Sequence, residues 1–326
     1  MNRRALAAVA VAATGAGTVL WVLVSSGPVP PGALIVAAIA PPLAVLIAAW
    51  SRLDPDGPFP ARAVTGGALI GPAVAIAGHA VVAALAYVLL AGLADAANGL
   101  VDALRIDPRI ADLVGSPWVL VLLVDLVVAA PLTEELGKAL GARAFSRPRS
   151  RRQAFLTGVA SGAGFAAIEN VLYAGLAAAY GGPWTAVVVA RAAGAAVHPL
   201  SSGLVMRGWW DAKHGGVPGA LGRGYLAGVG LHALWNGSLV VLVVAGSIVA
   251  PSQAAAMGAV TQLAWTGALG ALFLGGLWRE ARDVDRASGS APIPGLPAVA
   301  GLIVTAASLL VPAAILLLAF PSFYAV

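Results

Sequence analysis

Residues 117–141 read PWVLVLLVDLVVAAPLTEELGKALG, an apolar run long enough to cross a bilayer that carries Glu134, Glu135 and Lys138 inside it. A charge near the middle of a bilayer costs about 2.5 to 3.5 kcal/mol, so a chain that keeps several must place them facing one another or water. Polar or ionisable side chains recur in the next three apolar runs, namely Glu169 with Asn170, His198, and His232 with Asn236. The pattern predicts a polar chamber walled by helices.

Composition places the whole chain in the membrane. Hydrophobic residues make up 60% of the 326 positions, charged residues only 10%, and the mean hydropathy is +0.91. These values predict an all-α, polytopic integral membrane helical bundle that forms a single domain over residues 1–326. The absence of cysteine excludes disulfides, thiolate metal ligands and a cysteine nucleophile. Abundant alanine, and arginine in excess of lysine, indicate a GC-rich bacterial genome, so the expected location is the bacterial inner (plasma) membrane.

Apolar runs predict about nine transmembrane helices, with eight as the alternative count. The runs cover 5–24, 32–50, 63–92, 117–141, 154–177, 184–206, 219–246, 254–277 and 296–320. Arginines cluster in alternate connections, five of them between residues 143 and 152. Because basic loops stay inside, we expect a cytoplasmic amino terminus, an extracytoplasmic carboxyl terminus and no nucleic-acid partner. A helical rise of about 1.5 Å per residue then places the chamber in the cytoplasmic half of the bilayer.

Spacing within the helices suggests how the chamber works. Glu134 and Glu135 point about 100° apart on a helix, and Lys138 can neutralise one of them, which leaves the other carboxylate free. His232 and Asn236 are four residues apart and share one helix face, where an imidazole and an amide can together donate to an oxyanion.

Three motifs carry a family resemblance. The stretches Glu134-Glu135-Leu136-Gly137-Lys138, Phe165-Ala166-Ala167-Ile168-Glu169-Asn170 and His232-Ala233-Leu234-Trp235-Asn236, with His198 before the last, resemble the motifs of PrsW-type glutamic intramembrane proteases. That family is related to the CAAX-prenyl proteases and the bacteriocin-processing membrane proteins, whose second motif commonly has histidine where this chain has Glu169. The resemblance makes 117–246 a catalytic core of about four helices and implies cleavage of a membrane-anchored protein or peptide substrate, such as an anti-sigma factor.

Peptide hydrolysis needs an activated water, a proton donor and an oxyanion site. We expect Glu134 or Glu135 to act as general base, Glu169 or His198 to position the water, and His232 with Asn236 to bind the oxyanion. The supporting residues are Lys138, Phe165, Asn170 and Trp235. Apart from zinc, no cofactor is expected.

A zinc alternative uses His198 and His232 with one glutamate, for which Glu135 and Glu169 are the candidates. The sequence favours the metal-free route because the two histidines come from separate helices without a local ligand pair. A different class, a proton-coupled transporter or channel, could use the same cluster as a proton relay.

Two further groups are predicted to be structural. Asp125 and Arg191 share a depth near the outer ends of their helices, so we expect them to form an ion pair. His79 has no acidic neighbour in sequence, which favours a neutral, packed histidine.

Overall fold

The computed structural model describes residues 31–91, 117–179, 184–248 and 267–284, together with scattered positions between 7 and 18. These ranges are helical and contain no strand. The helices are α1 Pro31–Leu53, α2 Ala61–Ala91, α3 Pro117–Val124, α4 Ala130–Phe145, α5 Arg151–Ala179, α6 Trp184–Ala193, α7 Val197–His214, α8 Ala220–Ile248 and, over residues 267–284, α9. The all-helical prediction is therefore confirmed for the described residues.

Three of these helices are long and apolar enough to cross a bilayer: Gly32–Leu53, Ala61–Leu89 and Arg151–Ala179. They confirm a membrane protein, while the predicted total of nine spans stays a prediction. The run at 296–320, most of the run at 5–24 and the connection at 93–116 lie outside the described residues.

One predicted span is divided in the structure. The run at 184–206 forms α6 and α7, which are separated by a turn over residues 194–196. Pro199 explains the break, because a proline cannot donate to the preceding turn and its ring crowds that turn's carbonyl. The break matters because His198 stands in the first turn of α7, where it is buried and only 3% exposed.

A second irregularity joins α3 to α4. Residues Asp125–Ala129 form a π-helical turn within an otherwise continuous helix. Such turns widen the backbone and leave carbonyl groups available to other partners, and they are frequent at functional sites. Here the carbonyl of Leu126 accepts a hydrogen bond of 2.9 Å from the Asn236 amide on α8.

Helix α5 lies centrally and contacts α1, α2 and α7, with glycines at its contacts with α2 and α7. A methyl group added to Gly164 would meet the backbone of Val64 on α2, and one added to Gly162 would meet the carbonyl of His198 on α7. Glycine lets the backbones approach this closely, as is typical of helix packing in membranes. The contact between Gly162 and His198 ties the position of a predicted site residue to the packing of α5.

We expect Gly162→Ala to destabilise the fold by about 1 to 3 kcal/mol, because the new methyl group forces α5 and α7 apart. Gly175→Ala on the same helix is the matched control, since no described atom lies within 4 Å of its added methyl group. The control should be neutral or more stable by about 0.5 to 1 kcal/mol, because alanine is the better helix former. Unfolding midpoints in detergent measure both variants, and equal midpoints would contradict the packing argument.

Candidate active site

Four helices bring the predicted site residues together. Helix α4 supplies Glu134, Glu135 and Lys138, α5 supplies Glu169, α7 supplies His198, and α8 supplies His232. The imidazole rings of His198 and His232 meet edge to face, with their centroids 4.7 Å apart. Glu135 and His232, which are 97 positions apart in sequence, thus share one buried cluster.

Glu135 is enclosed by partners. Its Oε1 accepts from the Lys138 ammonium at 2.7 Å and lies 3.1 Å from Nδ1 of His232, while its Oε2 accepts from the Ser202 hydroxyl at 3.0 Å. The side chain is fully buried. Because both of its oxygens have partners, this carboxylate holds Lys138, His232 and Ser202 in position. Lys138 pairs with Glu135 as expected, but its ammonium also lies within ion-pair distance of Glu134, so the second glutamate is not left entirely free of it.

Glu134 is the less occupied carboxylate. Its Oε2 lies 3.6 Å from Nζ of Lys138 and 3.7 Å from Nε2 of His232, and it is buried without a hydrogen-bond partner among the described residues. Burying an unsatisfied charged oxygen is costly unless a ligand or a reacting group uses it. Of the two neighbouring glutamates, Glu134 is the one that retains binding capacity.

Each histidine has one ring nitrogen held by a carboxylate. Nε2 of His198 lies 2.9 Å from Glu169, and Nδ1 of His232 lies 3.1 Å from Glu135. Metal-binding histidines characteristically have such a carboxylate on the nitrogen that does not bind the metal. Ligand atoms of Glu134, His198 and His232 lie within 4.8 Å of one another, and all three residues are buried.

This arrangement changes the expected ligand set. The sequence predicts Glu135 or Glu169 as the carboxylate ligand, but these carboxylates face Nδ1 of His232 and Nε2 of His198, the nitrogens that would not bind the metal. The glutamate that groups with the two imidazoles is Glu134. Sequence spacing could not separate the three glutamates, because the choice depends on how each helix is rotated towards α7 and α8.

The predicted ion pair between Asp125 and Arg191 is wrong. Arg191 forms an ion pair with Glu169, donates to Oδ1 of Asn170 at 2.6 Å, and has its guanidinium 3.1 Å from Nε2 of His198. Asn170 in turn donates to the carbonyl of Ala38 on α1 at 3.0 Å. Equal depth did not identify the partners, because α6 directs Arg191 towards α5.

The supporting residues surround the cluster. The ring of Phe165 packs 4.4 Å from the Lys138 ammonium and has its centroid 5.3 Å from that of His198. Trp235 is buried, and a methyl group added to Gly194 would meet its ring, so it packs at the break between α6 and α7. The Asn236 amide is engaged by the π-helical turn, and its role as an oxyanion donor stays a prediction.

Sequence reasoning missed Ser202, whose hydroxyl binds Glu135. It follows His198 by four residues on α7, so both lie on one face of that helix. The four-residue spacing from His198 was the sequence signal that could have identified Ser202. A hydroxyl is too common in apolar helices to stand out unless the neighbouring face is already known.

Comparison with known proteins supplies the family. Residues 60–266, well over half of the chain, match the family described as PrsW family intramembrane metalloprotease. No curated protein and no solved structure matches the chain. The matched region includes the buried cluster of glutamates and histidines, and it extends to α2, beyond the motifs that carried the resemblance. The chain therefore belongs to the PrsW family and is an intramembrane protease, a hydrolase that acts on peptide bonds.

Proposed function

We propose that this protease cleaves a membrane-anchored protein in the cytoplasmic half of the bilayer, and that Glu134, His198 and His232 form its reaction centre. The observation that carries the proposal is the grouping of these three buried side chains within 4.8 Å, with a separate carboxylate orienting each histidine. A site that only stabilised helix packing would be expected to satisfy the buried Glu134 oxygen as well.

The three residues fit the metal that the family description implies. One carboxylate and two imidazoles form a common ligand set for catalytic zinc, which keeps a fourth position open. The nitrogens that do not face Glu169 or Glu135 are Nδ1 of His198 and Nε2 of His232. A divalent metal held by these residues would supply Lewis-acid chemistry, which activates water and polarises a peptide carbonyl. Geometry and family together favour this route over the metal-free one.

Lys138 sets a condition on metal binding. Its ammonium lies 2.8 Å from Nδ1 of His198, so it engages the lone pair that a metal would use. It also binds Glu135 at 2.7 Å. We infer that the lysine remains with Glu135 when His198 acts as a ligand, which a small rotation of a flexible side chain achieves.

The remaining residues have assigned tasks. The second oxygen of Glu134, Oε1, accepts a proton as the water oxygen adds to the peptide carbonyl, and this proton passes to the amine when the carbon–nitrogen bond breaks. Glu135 and Glu169 hold the two imidazole rings in position. With Nδ1 facing Glu135 and Nε2 assigned to the metal, His232 has no N–H left for the oxyanion, so that role, predicted from sequence for both residues, falls to Asn236.

The location of the cut follows from the helix ends. Glu134 precedes the end of α4 at Phe145 by about 16 Å along the helix axis. The loop after α4 is basic, with Arg147 and Arg149, and basic loops remain in the cytoplasm. With the amino terminus in the cytoplasm and the carboxyl terminus outside, as the basic loops indicate, the substrate bond is cut below the cytoplasmic surface.

We expect the purified chain, reconstituted in liposomes with a single-span reporter protein, to cut that reporter inside its cytoplasmic half. Mass spectrometry of the fragments measures the position, which should lie about 10 to 16 Å from the cytoplasmic edge. Gly175→Ala, outside the site, is the positive control, and liposomes without the protease are the negative control. Cleavage only in the outer half would contradict the proposed orientation, and no cleavage of any reporter would contradict the proposed substrate class.

A further inference from the structure

His79 on α2 lies beside the reaction centre. Its Nε2 is 3.9 Å from Oε1 of Glu134, and its Nδ1 is 3.5 Å from Oδ2 of Asp125. Glycine brings α2 close enough, because a methyl group added to Gly78 would meet the side chain of Thr133 on α4. The sequence predicts a neutral, packed His79, whereas in the structure its ring lies between the carboxylates of Glu134 and Asp125.

We assign the ring proton of His79 to Nδ1, because Nδ1 lies nearer to a carboxylate, 3.5 Å from Asp125, than Nε2 does at 3.9 Å from Glu134, and an ionised carboxylate accepts. In the neutral ring the other nitrogen, Nε2, is then an acceptor. The π-helical turn at Asp125–Ala129 lies at this contact and reorients the chain just before α4.

Nε2 of His79 and Oε1 of Glu134 are therefore two acceptors that face each other. Their separation of 3.9 Å is too long for a direct hydrogen bond, and Nε2 is buried without a partner among the described residues. One water placed about 2.8 Å from each atom would donate to both. The spacing fits a molecule with two donors, and water is the substrate that hydrolysis consumes.

Glu134 is less enclosed on the side that faces His79. The side chain of His79 is 30% exposed and that of Asp125 is 18% exposed, whereas that of Glu134 is 5% exposed. Oε2 of Glu134 faces the enclosed Lys138 and His232. The gap beside Oε1 is therefore the side on which a small molecule fits between Glu134 and His79.

We propose that His79 is a catalytic residue that holds the hydrolytic water together with Glu134, and that Asp125 is a positioning residue that acts through His79. This inference rests on the proposed function of Glu134.

The test uses His79→Leu, Asp125→Asn and the double variant, with cleavage of the membrane reporter and bound metal as readouts. His79→Leu should lower kcat about 10²-fold and leave KM unchanged, because a displaced water costs rate and not substrate binding. Asp125→Asn keeps the shape but can donate to Nδ1, which selects the wrong tautomer and should lower kcat similarly. The double variant should be no slower than His79→Leu, because Asp125 acts only through His79.

His79→Gln retains a polar group and should recover part of the lost rate. All these variants should keep the metal content of the wild type, since neither residue belongs to the ligand group. Full activity in both single variants, a raised KM with unchanged kcat, or additive losses in the double variant would overturn the proposal. If His79→Leu fails to fold, the kcat of the isosteric Asp125→Asn variant decides the test. Failure of the proposed function is recognised separately, because Glu134→Gln would then remain active.

Discussion

Glu134→Gln is expected to lower cleavage of the membrane reporter about 10³-fold while the protein stays folded. Glutamine removes the charge and the proton-accepting oxygen from the residue that groups with His198 and His232. Stability should change little, because Oε2 of Glu134 makes no hydrogen bond to the described residues. Initial rates and unfolding midpoints, measured on the same preparation, test both statements.

Glu135→Gln is the matched contrast, an identical change one position away. Here the loss should appear in stability, at about 3 to 5 kcal/mol, because Lys138 is fully buried and would lose the carboxylate 2.7 Å from its ammonium. Its activity should fall only as far as the folded fraction falls and as His232 loses its orientation. A folded, inactive Glu135→Gln beside an active Glu134→Gln would exchange the two roles.

The sequence predicted the parts of the site that depend on helix periodicity. Lys138 follows Glu135 by three residues, so the pair meets on one helix regardless of tertiary packing. The cost of charge in lipid required the four polar helices to face one another, and they do. These predictions use only local geometry and the solvent, both of which the sequence determines.

The remaining features of the site depend on how the helices are rotated and tilted relative to one another. The predicted depth of a residue in the bilayer does not specify these angles. The sequence predicts one depth for Asp125 and Arg191, but the two side chains face different neighbours, namely His79 and Glu169. The sequence predicts only a packing role for His79, because its carboxylate partners are distant in sequence and lie on other helices. To identify Glu134 as the carboxylate with the fewer hydrogen bonds, the position of Ser202 was needed, because its hydroxyl on α7 donates to Glu135. Contacts between helices decided each of these points.

Glycines on two helices give a packing signal that is visible in the sequence. Those on α5 allow close contact with α2 and α7, and those on α2 bring a further helix to the site. Gly71 on α2 lies against Phe165 and Lys138, and Gly78 lies against Thr133. Helix α2 falls within residues 60–266, so its polar residues lie in the part of the chain that matches the family. The expected core at 117–246 stays a proposal, and α2 is its natural extension.

Metal removal is expected to abolish cleavage reversibly. The purified protein should contain one divalent metal ion per chain, with zinc the candidate, and dialysis against a chelator should remove both metal and activity until the ion is returned. His198→Ala and His232→Ala should each lose the ion, because each removes one of three ligands.

A graded series separates ligands from the residues that orient them. Glu169→Gln keeps the ligands but weakens the contact that orients His198, so metal affinity should fall about 10- to 100-fold without being lost. His79→Leu should leave affinity unchanged, since His79 lies outside the ligand group. Metal content is read by elemental analysis and affinity by competition with a chelating dye. Full activity in protein stripped of metal would restore the metal-free alternative, in which a glutamate of the Glu134–Glu135 pair activates the water and Glu169 or His198 positions it.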